Sequence, residues 1–339
     1  MDWITNAATR YLTEQIFLKY KTPWDTLQTR TEFMNADGFV INPSWVVKHL
    51  MTIQPWNTKP IAQLFWWRKE TLYKAVTILI NDYADDFSWI ELNMGCPSNT
   101  VMKCWWGSDM LKHRPESLEI IKELSSLIKT SPLTFSIKTR AWLDENDKEN
   151  QLAFLKEVSQ RVDFLTIHGR TLKQLYMWDA DISFMIKLKE TAHCPIIANG
   201  WITNYQEAKT MENLWFDGVM IGQWAIGNPR IFTEYLPSLQ ERKKIILEHL
   251  ELMIATNCYF ETTVQTMKNY RLKQPQPEEI TALIGTIDEA TPYHAIVEFR
   301  KYLFQYIKGI PNAREIKQSF LKMKTYWEIK EALSLLWMS

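Results

Sequence analysis

Glycine is scarce in this chain: 339 residues hold 10 of them, where the usual ~7% would give roughly 24. Long apolar runs are missing too. No stretch of about 18 residues is uniformly apolar and no charged-then-apolar leader opens the chain, so the sequence reads as soluble, neither membrane-spanning nor secreted. Neither sign of charge dominates, with 39 Lys+Arg against 39 Asp+Glu. A polyanionic partner would therefore be held by a local basic patch rather than by the global field. The four cysteines, Cys96, Cys104, Cys194 and Cys258, show neither metal-ligand spacing nor a disulfide framework. That pattern fits a reducing, cytoplasmic compartment and points to no metal.

What the chain has in surplus is tryptophan, 16 residues of it. The missing glycines and the extra indoles read as one fact rather than two. They meet at VMKCWWGSDML (101–111), where Trp105 and Trp106 stand in what should be a tight turn. Otherwise the composition is ordinary for a globular protein, 46% apolar and 23% charged. The length suits one large domain, with or without a small one appended.

Residues 1–235 alternate short β-rich runs with longer amphipathic segments. The strands are predicted at TLQTRTEFM (26–34), PIAQLF (60–65), WIELNMG (89–95), LTFSIKTR (133–140), FLTIHGR (164–170), CPIIANG (194–200) and FDGVMIGQ (216–223). Helical patterns lie between them, such as 69–84, 115–129 and 182–192. Near-continuously apolar strands separated by helices argue for a parallel sheet covered on both faces. Seven such units at spacings of about 25–35 residues predict a (β/α)₈ TIM barrel, α/β in class. One strand is short of the full count, and MDWITNAATR reads as the loop and helix that follow a first strand. The true start is therefore expected upstream of Met1.

From about residue 240 only helical patterns remain. The expected division is a barrel over residues 1–240 and an all-helical domain over 241–339. Between Arg300 and Lys330 there are eight Lys/Arg against two Glu. Such a run is either a solvated face or a surface for nucleic-acid phosphates.

A barrel carries its chemistry at the C-terminal ends of its strands. Those ends hold Gln63, Asn93 with Cys96, Lys138 with Arg140, His168 with Arg170, Asn199-Gly200, and Gly222. Glycines after the last two strands put backbone N–H groups where a phosphate can be cradled, so a phosphate-bearing cofactor is implied. Lys138 suits an electron-rich ring that gains negative charge. Cys96, in a Gly-Cys-Pro turn, is either an acid or nucleophile or else a small buried hydrophobe.

ELNMGCPSNTVMKCWWGSDML, FSIKTR, FLTIHGRT, CPIIANG and DGVMIGQWAIGNPRIF together resemble the ordered motif set of the tRNA-dihydrouridine synthases. TRTEFMNADG and PIAQLF are similar to that family's second and third strands. YIKGIPNAREIKQSF resembles its C-terminal RNA-binding bundle. The resemblance covers nearly the whole chain and is weakest at about 255–295.

It implies an FMN enzyme that uses NADPH to reduce particular uridines of tRNA to dihydrouridine, working as a monomer. Carried over by position, Gln63 and Lys138 would hydrogen-bond the isoalloxazine, and His168 would contact it and bound the uracil pocket. Asn199, Gly200 and Trp201, with Gly222 and Gln223, would bind the FMN phosphate. Met1 and Asp2 fall in the family's first flavin-contacting loop. Asn93 and Arg170 would face the target base, and Cys96 would protonate uracil C5 as general acid while hydride enters at C6. The uridine must leave its stack to react, which costs least in a partly unfolded loop.

The sequence departs from the pattern in two ways. Gln223 stands where the family usually has Arg in the phosphate loop. Trp3, Trp66, Trp67, Trp89, Trp105, Trp106, Trp142, Trp178, Trp215 and Trp224 stand where its motifs place Gly, and Trp201 occupies a slot that also accepts it. Restoring glycine at these eleven positions would lift the count from 10 to 21. UGA codons meaning glycine but read as tryptophan would produce this pattern; a divergent, Trp-rich homologue is the other reading. Two further functions stay open: an FMN barrel dehydrogenase acting on a free pyrimidine, and an inactive tRNA-binding homologue.

Overall fold

The computed structural model describes residues 4–51, 58–66, 68–96, 107–142, 147–171, 180–200, 202–261, 278, 282, 293–308 and 313–335. The chain divides into two compact units that interleave along the sequence. One comprises Met1–Asp2, Gln28–Val46 and Thr58–Gly222; the other Trp3–Leu27, Val47–Asn57 and Gln223–Ser339.

The first unit is built on seven strands: β1 (Met34–Asn35), β2 (Ile61–Phe65), β3 (Trp89–Met94), β4 (Thr134–Arg140), β5 (Phe164–His168), β6 (Ile196–Asn199) and β7 (Gly218–Met220). Every neighbouring pair is parallel and the spatial order is the sequence order, β1 to β7. A doubly wound sheet would reverse its order at a switch point; uninterrupted succession with a helix after each strand is the barrel arrangement. The fold is therefore α/β, barrel-type, as the alternation of runs predicts. β2 and β5 are buried at every position, as strands covered on both faces must be.

The first predicted strand differs most in form, and the last shrinks from 216–223 to Gly218–Met220. Its ladder is reduced to Met34–Asn35 with one isolated bridge, Arg30 to Ile61. From Arg30 to Met34 the chain uses one residue more than Ile61 to Leu64 on the partner, which is a bulge. The Thr31 hydroxyl accepts the Gln63 N–H at 3.3 Å there, taking up a donor that the broken ladder leaves over.

The connecting helices follow ordinary rules. Lys69–Asp82 buries Leu72, Ala75, Val76 and Leu79, an i, i+3, i+4, i+7 stripe worth roughly 1.5–3 kcal/mol for each large aliphatic side chain. Asp181 and Asn204 cap Ile182–Thr191 and Tyr205–Asn213, accepting from Phe184 N and Glu207 N, each at 2.9 Å.

The second unit is helical: Ala7–Tyr20, Leu239–Tyr259, Tyr293–Tyr306, Ala313–Phe320 and Tyr326–Leu335. Leu12, Leu250, Met253, Phe299, Tyr302, Leu303, Phe320 and Ile329 form its core. A reciprocal capping box between Ser238 and Glu241 starts the longest of these helices. Among the described residues, no helix is long and apolar enough to cross a membrane, and no group of three or more His, Cys, Asp or Glu could hold a metal ion.

Candidate active site

The strand register brings the polar residues into successive rungs at one end of the sheet. Gln63 lies opposite Glu91, Asn93 opposite Lys138, and Arg140, His168 and Asn199 opposite one another in turn. Gln63, Asn93, His168 and Asn199 are buried and Lys138 is half-buried. Asn199 closes the row by donating through Nδ2 to the Met220 carbonyl at 2.8 Å.

Cys96 is a free, half-buried cysteine just past β3. Its carbonyl accepts both the backbone N–H (3.1 Å) and the hydroxyl (2.8 Å) of Ser108. Gly107 makes that return possible: at φ +54°, a Cβ on it would lie 2.7 Å from the Cys96 carbonyl oxygen. Arg140, itself buried, braces the same turn from below, donating through Nε to the Gly95 carbonyl at 2.9 Å and through Nη1 to the Thr171 carbonyl at 3.1 Å.

The site is cationic and largely buried. Burial, then the charges of Lys138, Arg140 and Arg170, push the His168 imidazole down to about 2, so it is neutral at any working pH. Burial also pushes the Lys138 ammonium down to about 8, helped by Arg140 and Arg30 and opposed by Glu91. Among the described residues neither the Lys138 ammonium nor the His168 ring has a hydrogen-bond partner. Gly200, at φ +124°, lies against that ring, and a Cβ there would stand 3.1 Å from His168 Cδ2.

Of the remaining predicted residues, Arg170 is half-buried beyond β5, with its N–H on the His168 carbonyl at 2.8 Å. Gly222 and Gln223 follow β7, the latter exposed. Met1, Asp2 and Trp201 lie outside the described residues. Glu91, fully buried at the centre of the rungs, is a residue that sequence reasoning missed. The signal was a lone carboxylate inside the otherwise apolar WIELNM run.

Five of the eleven tryptophans at glycine positions are described; Trp3, Trp67, Trp105, Trp106, Trp178 and Trp201 lie outside. Trp215 is the one non-glycine residue with positive φ among the described residues, at +68°, and is 84% exposed. Trp142 is only 1% exposed, and its indole N–H has no hydrogen-bond partner among the described residues. Trp66 is buried, Trp89 opens β3 edge-on to Phe164, and Trp224 is exposed beside Lys308.

Fold and site together define a barrel-type α/β protein with a cluster of cationic and polar side chains at its strand ends. The profile of the family described as Dihydrouridine synthase (Dus) matches residues 1–335, and the chain belongs to that family. A relative named "Probable tRNA-dihydrouridine synthase" from Aquifex aeolicus is 26% identical over 298 residues, 86% of this chain and 82% of its own. One of the same name from Rickettsia conorii is 33% identical over 177 residues, 49% of this chain and 53% of its own. "tRNA-dihydrouridine synthase B" of Pasteurella multocida is 34% identical over 175 residues, 48% of this chain and 52% of its own. The chain thus spans about half the length of several curated relatives it matches. A solved structure of morphinone reductase in complex with tetrahydroNAD superposes on 62% of this chain and 51% of its own at TM-score 0.35 and 12% identity. A likeness that loose carries no functional argument.

Proposed function

We propose that this chain reduces particular uridines of tRNA to 5,6-dihydrouridine, with FMN as cofactor and NADPH as reductant. The observation that carries the reading is the family match over residues 1–335, together with Lys138, His168 and Asn199 on adjoining strands and Cys96 just past β3. The residues fit a flavin mononucleotide. Among the described residues the Lys138 and His168 nitrogens have no hydrogen-bond partner and lie in a positive environment, and Gly200, lacking a Cβ, lets its backbone lie close to the His168 ring. Gln63 and Lys138 would hold the isoalloxazine, and Asn199, Gly200, Trp201, Gly222 and Gln223 the phosphate, with Met1 and Asp2 completing the pocket.

When bound, FMN supplies the hydride that uracil C6 accepts. Cys96 donates its Sγ proton to C5, completing the addition across the double bond, and is reprotonated from solvent. Asn93 and Arg170 orient the base edge, and the walls of the pocket keep water away. The basic stretch from Arg300 to Lys330, on the helical region over 241–339, would supply shape-reading contacts to tRNA phosphates. The test is to incubate the chain with FMN, NADPH and unmodified tRNA and quantify dihydrouridine by nucleoside mass spectrometry. Dihydrouridine in the tRNA is the expected result. NADPH consumption with free uracil and none with tRNA would overturn it in favour of a free-pyrimidine dehydrogenase.

A second reading concerns the polypeptide itself, and Trp215 favours it. An indole at φ +68° costs of order 1 kcal/mol or more that glycine would not. Burying the unpaired Trp142 N–H costs a further ~1–3 kcal/mol. We infer that the eleven tryptophans stand at codons meaning glycine in the source organism. UGA at codons 105, 106, 142, 215 and 224 is expected; UGG there refutes the inference.

A further inference from the structure

Glu91 is completely buried, and its carboxylate gathers donors from β2, from β4 and from Arg30 ahead of β1. Arg30 Nε donates to Oε1 at 2.8 Å and Arg30 Nη2 to Oε2 at 3.1 Å, while Nη2 also reaches Thr166 Oγ1 at 3.1 Å. Gln63 Nε2 donates to Oε1 at 2.6 Å, and Ser136 Oγ lies 3.5 Å from Oε2. A carboxylate paired to a guanidinium accepts and does not donate.

That asymmetry propagates. Gln63 must turn its NH₂ toward Glu91, which leaves its Oε1 facing Asn93, whose Nδ2 donates to it at 3.1 Å. With Nδ2 turned to Gln63, Asn93 presents Oδ1 on its other side, where Oδ1 accepts the Gly95 N–H at 3.0 Å. Gly95 precedes Cys96. Its carbonyl is already held by Arg140, so the N–H is the half of this peptide that depends on the chain from Glu91.

We propose that Glu91 is a positioning residue: through Gln63 and Asn93 it sets the direction of both amides and seats the turn that carries Cys96. The inference rests on the function proposed above for what the turn does. The direction of the chain rests on donors and acceptors alone. Glu91 also faces Lys138, together with Arg30, Arg140 and Cys96, and is the charge that most strongly holds the ammonium protonated there.

The substitution E91Q keeps the shape and reverses the logic. With the new amide oxygen at the Oε2 position, held by Arg30 Nη2, the new NH₂ takes the Oε1 position, faces Gln63 and forces that side chain to flip. Flipped Gln63 then presents NH₂ to Asn93, which flips in turn and points its own NH₂ at the Gly95 N–H. Residue-resolved hydrogen exchange reads this directly. In E91Q the Gly95 amide is expected to exchange about 10-fold faster, as a lost hydrogen bond implies, while β4 and β5 amides stay as in the parent. Adding N93D should restore protection, because a carboxylate at 93 accepts from both flipped Gln63 and Gly95. FMN affinity, read by flavin fluorescence, should fall in E91Q in parallel.

Unchanged Gly95 exchange in both E91Q and Q63A overturns the proposal, and so does a rise shared equally by β4 and β5. Should E91Q fail to fold, Q63A cuts the chain without touching the Arg30–Glu91 pair and must release Gly95 in the same way. If the parent chain makes no dihydrouridine yet Gly95 behaves as described, the proposed function falls and the positioning role stands. The opposite outcome removes only the positioning role.

Discussion

Each of the two units buries a polar network, and the two networks are finished differently. In the helical unit His249 is almost fully buried among Phe299, Tyr302 and Tyr306. Its Nε2 meets Thr9 Oγ1 at 3.1 Å and its Nδ1 meets Tyr306 OH at 3.1 Å. Because the Thr9 hydroxyl donates to Asn6 Oδ1, it must accept from His249, so the proton is on Nε2 and Tyr306 donates to Nδ1. Both ring nitrogens are satisfied. The network of the strand unit starts as tightly, at Arg30–Glu91, and runs outward through Gln63 and Asn93 to the Gly95 N–H beside Cys96. A closed network specifies a core, and one that runs out to the Cys96 turn holds that turn in place.

The comparison breaks most sharply at Cys96. C96A should lower the rate of dihydrouridine formation by about 10²–10⁴-fold, the usual worth of a positioned general acid, with the thermal midpoint unmoved. His249 should show the converse. H249A leaves Tyr306 and Thr9 without their partner in a packed core, and should cost on the order of 3 kcal/mol in urea unfolding. Loss of activity in H249A without loss of stability would dissolve the distinction.

Acid separates the two histidines from the rest of the chain next. Burial pushes His249 down to about 3, with Lys301 adding to it, and His168 lies at about 2. Both are neutral in the fold below the ordinary value near 6.5, where the unfolded chain takes up protons. The unfolded state therefore binds more protons between about pH 6.5 and pH 3, so stability rises with pH across that window and is lost on acidification. Each histidine contributes a slope of up to ~1.4 kcal/mol per pH unit. Urea melts at pH 6.5, 5.5 and 4.5 should show that slope shrinking by one histidine's share in H249Q.

How far these features can be read from sequence follows from how local their causes are. Strands β2 to β7 and their helices stand where apolar periodicity puts them, because one buried face or stripe is written in consecutive residues. The polar strand ends were legible for the same reason, since a residue's rank in a strand says which end it occupies. Glu91 was not: its partners Arg30, Gln63 and Ser136 lie 61, 28 and 45 positions away, and only register brings them together. The membership of Ala7–Tyr20 in the helical core was hidden likewise, its Thr9–His249 contact spanning 240 positions. The bulge between Arg30 and Met34 leaves no mark in a run whose apolar content barely changes.

The smallest expected effect bears on the tryptophans, and it compares two sites rather than two networks. Trp215 follows the helix Tyr205–Asn213 at φ +68°, where its N–H bonds the Glu212 carbonyl at 2.9 Å and its ring is almost wholly in solvent. Nothing is packed against the indole that glycine would forfeit, and the left-handed turn ending a helix is the position glycine favours. W215G should therefore stabilise by about 1 kcal/mol, raising the thermal midpoint by roughly 2 °C. Trp142 is the opposite case, since its ring fills core space beside Phe184 and under the Lys148 ammonium at 4.5 Å. W142G removes an orphaned N–H but leaves a void, so the two terms oppose each other. A midpoint that falls in W215G would mean that strain at this turn is not what distinguishes it, and would remove the strongest physical support for glycine at that codon.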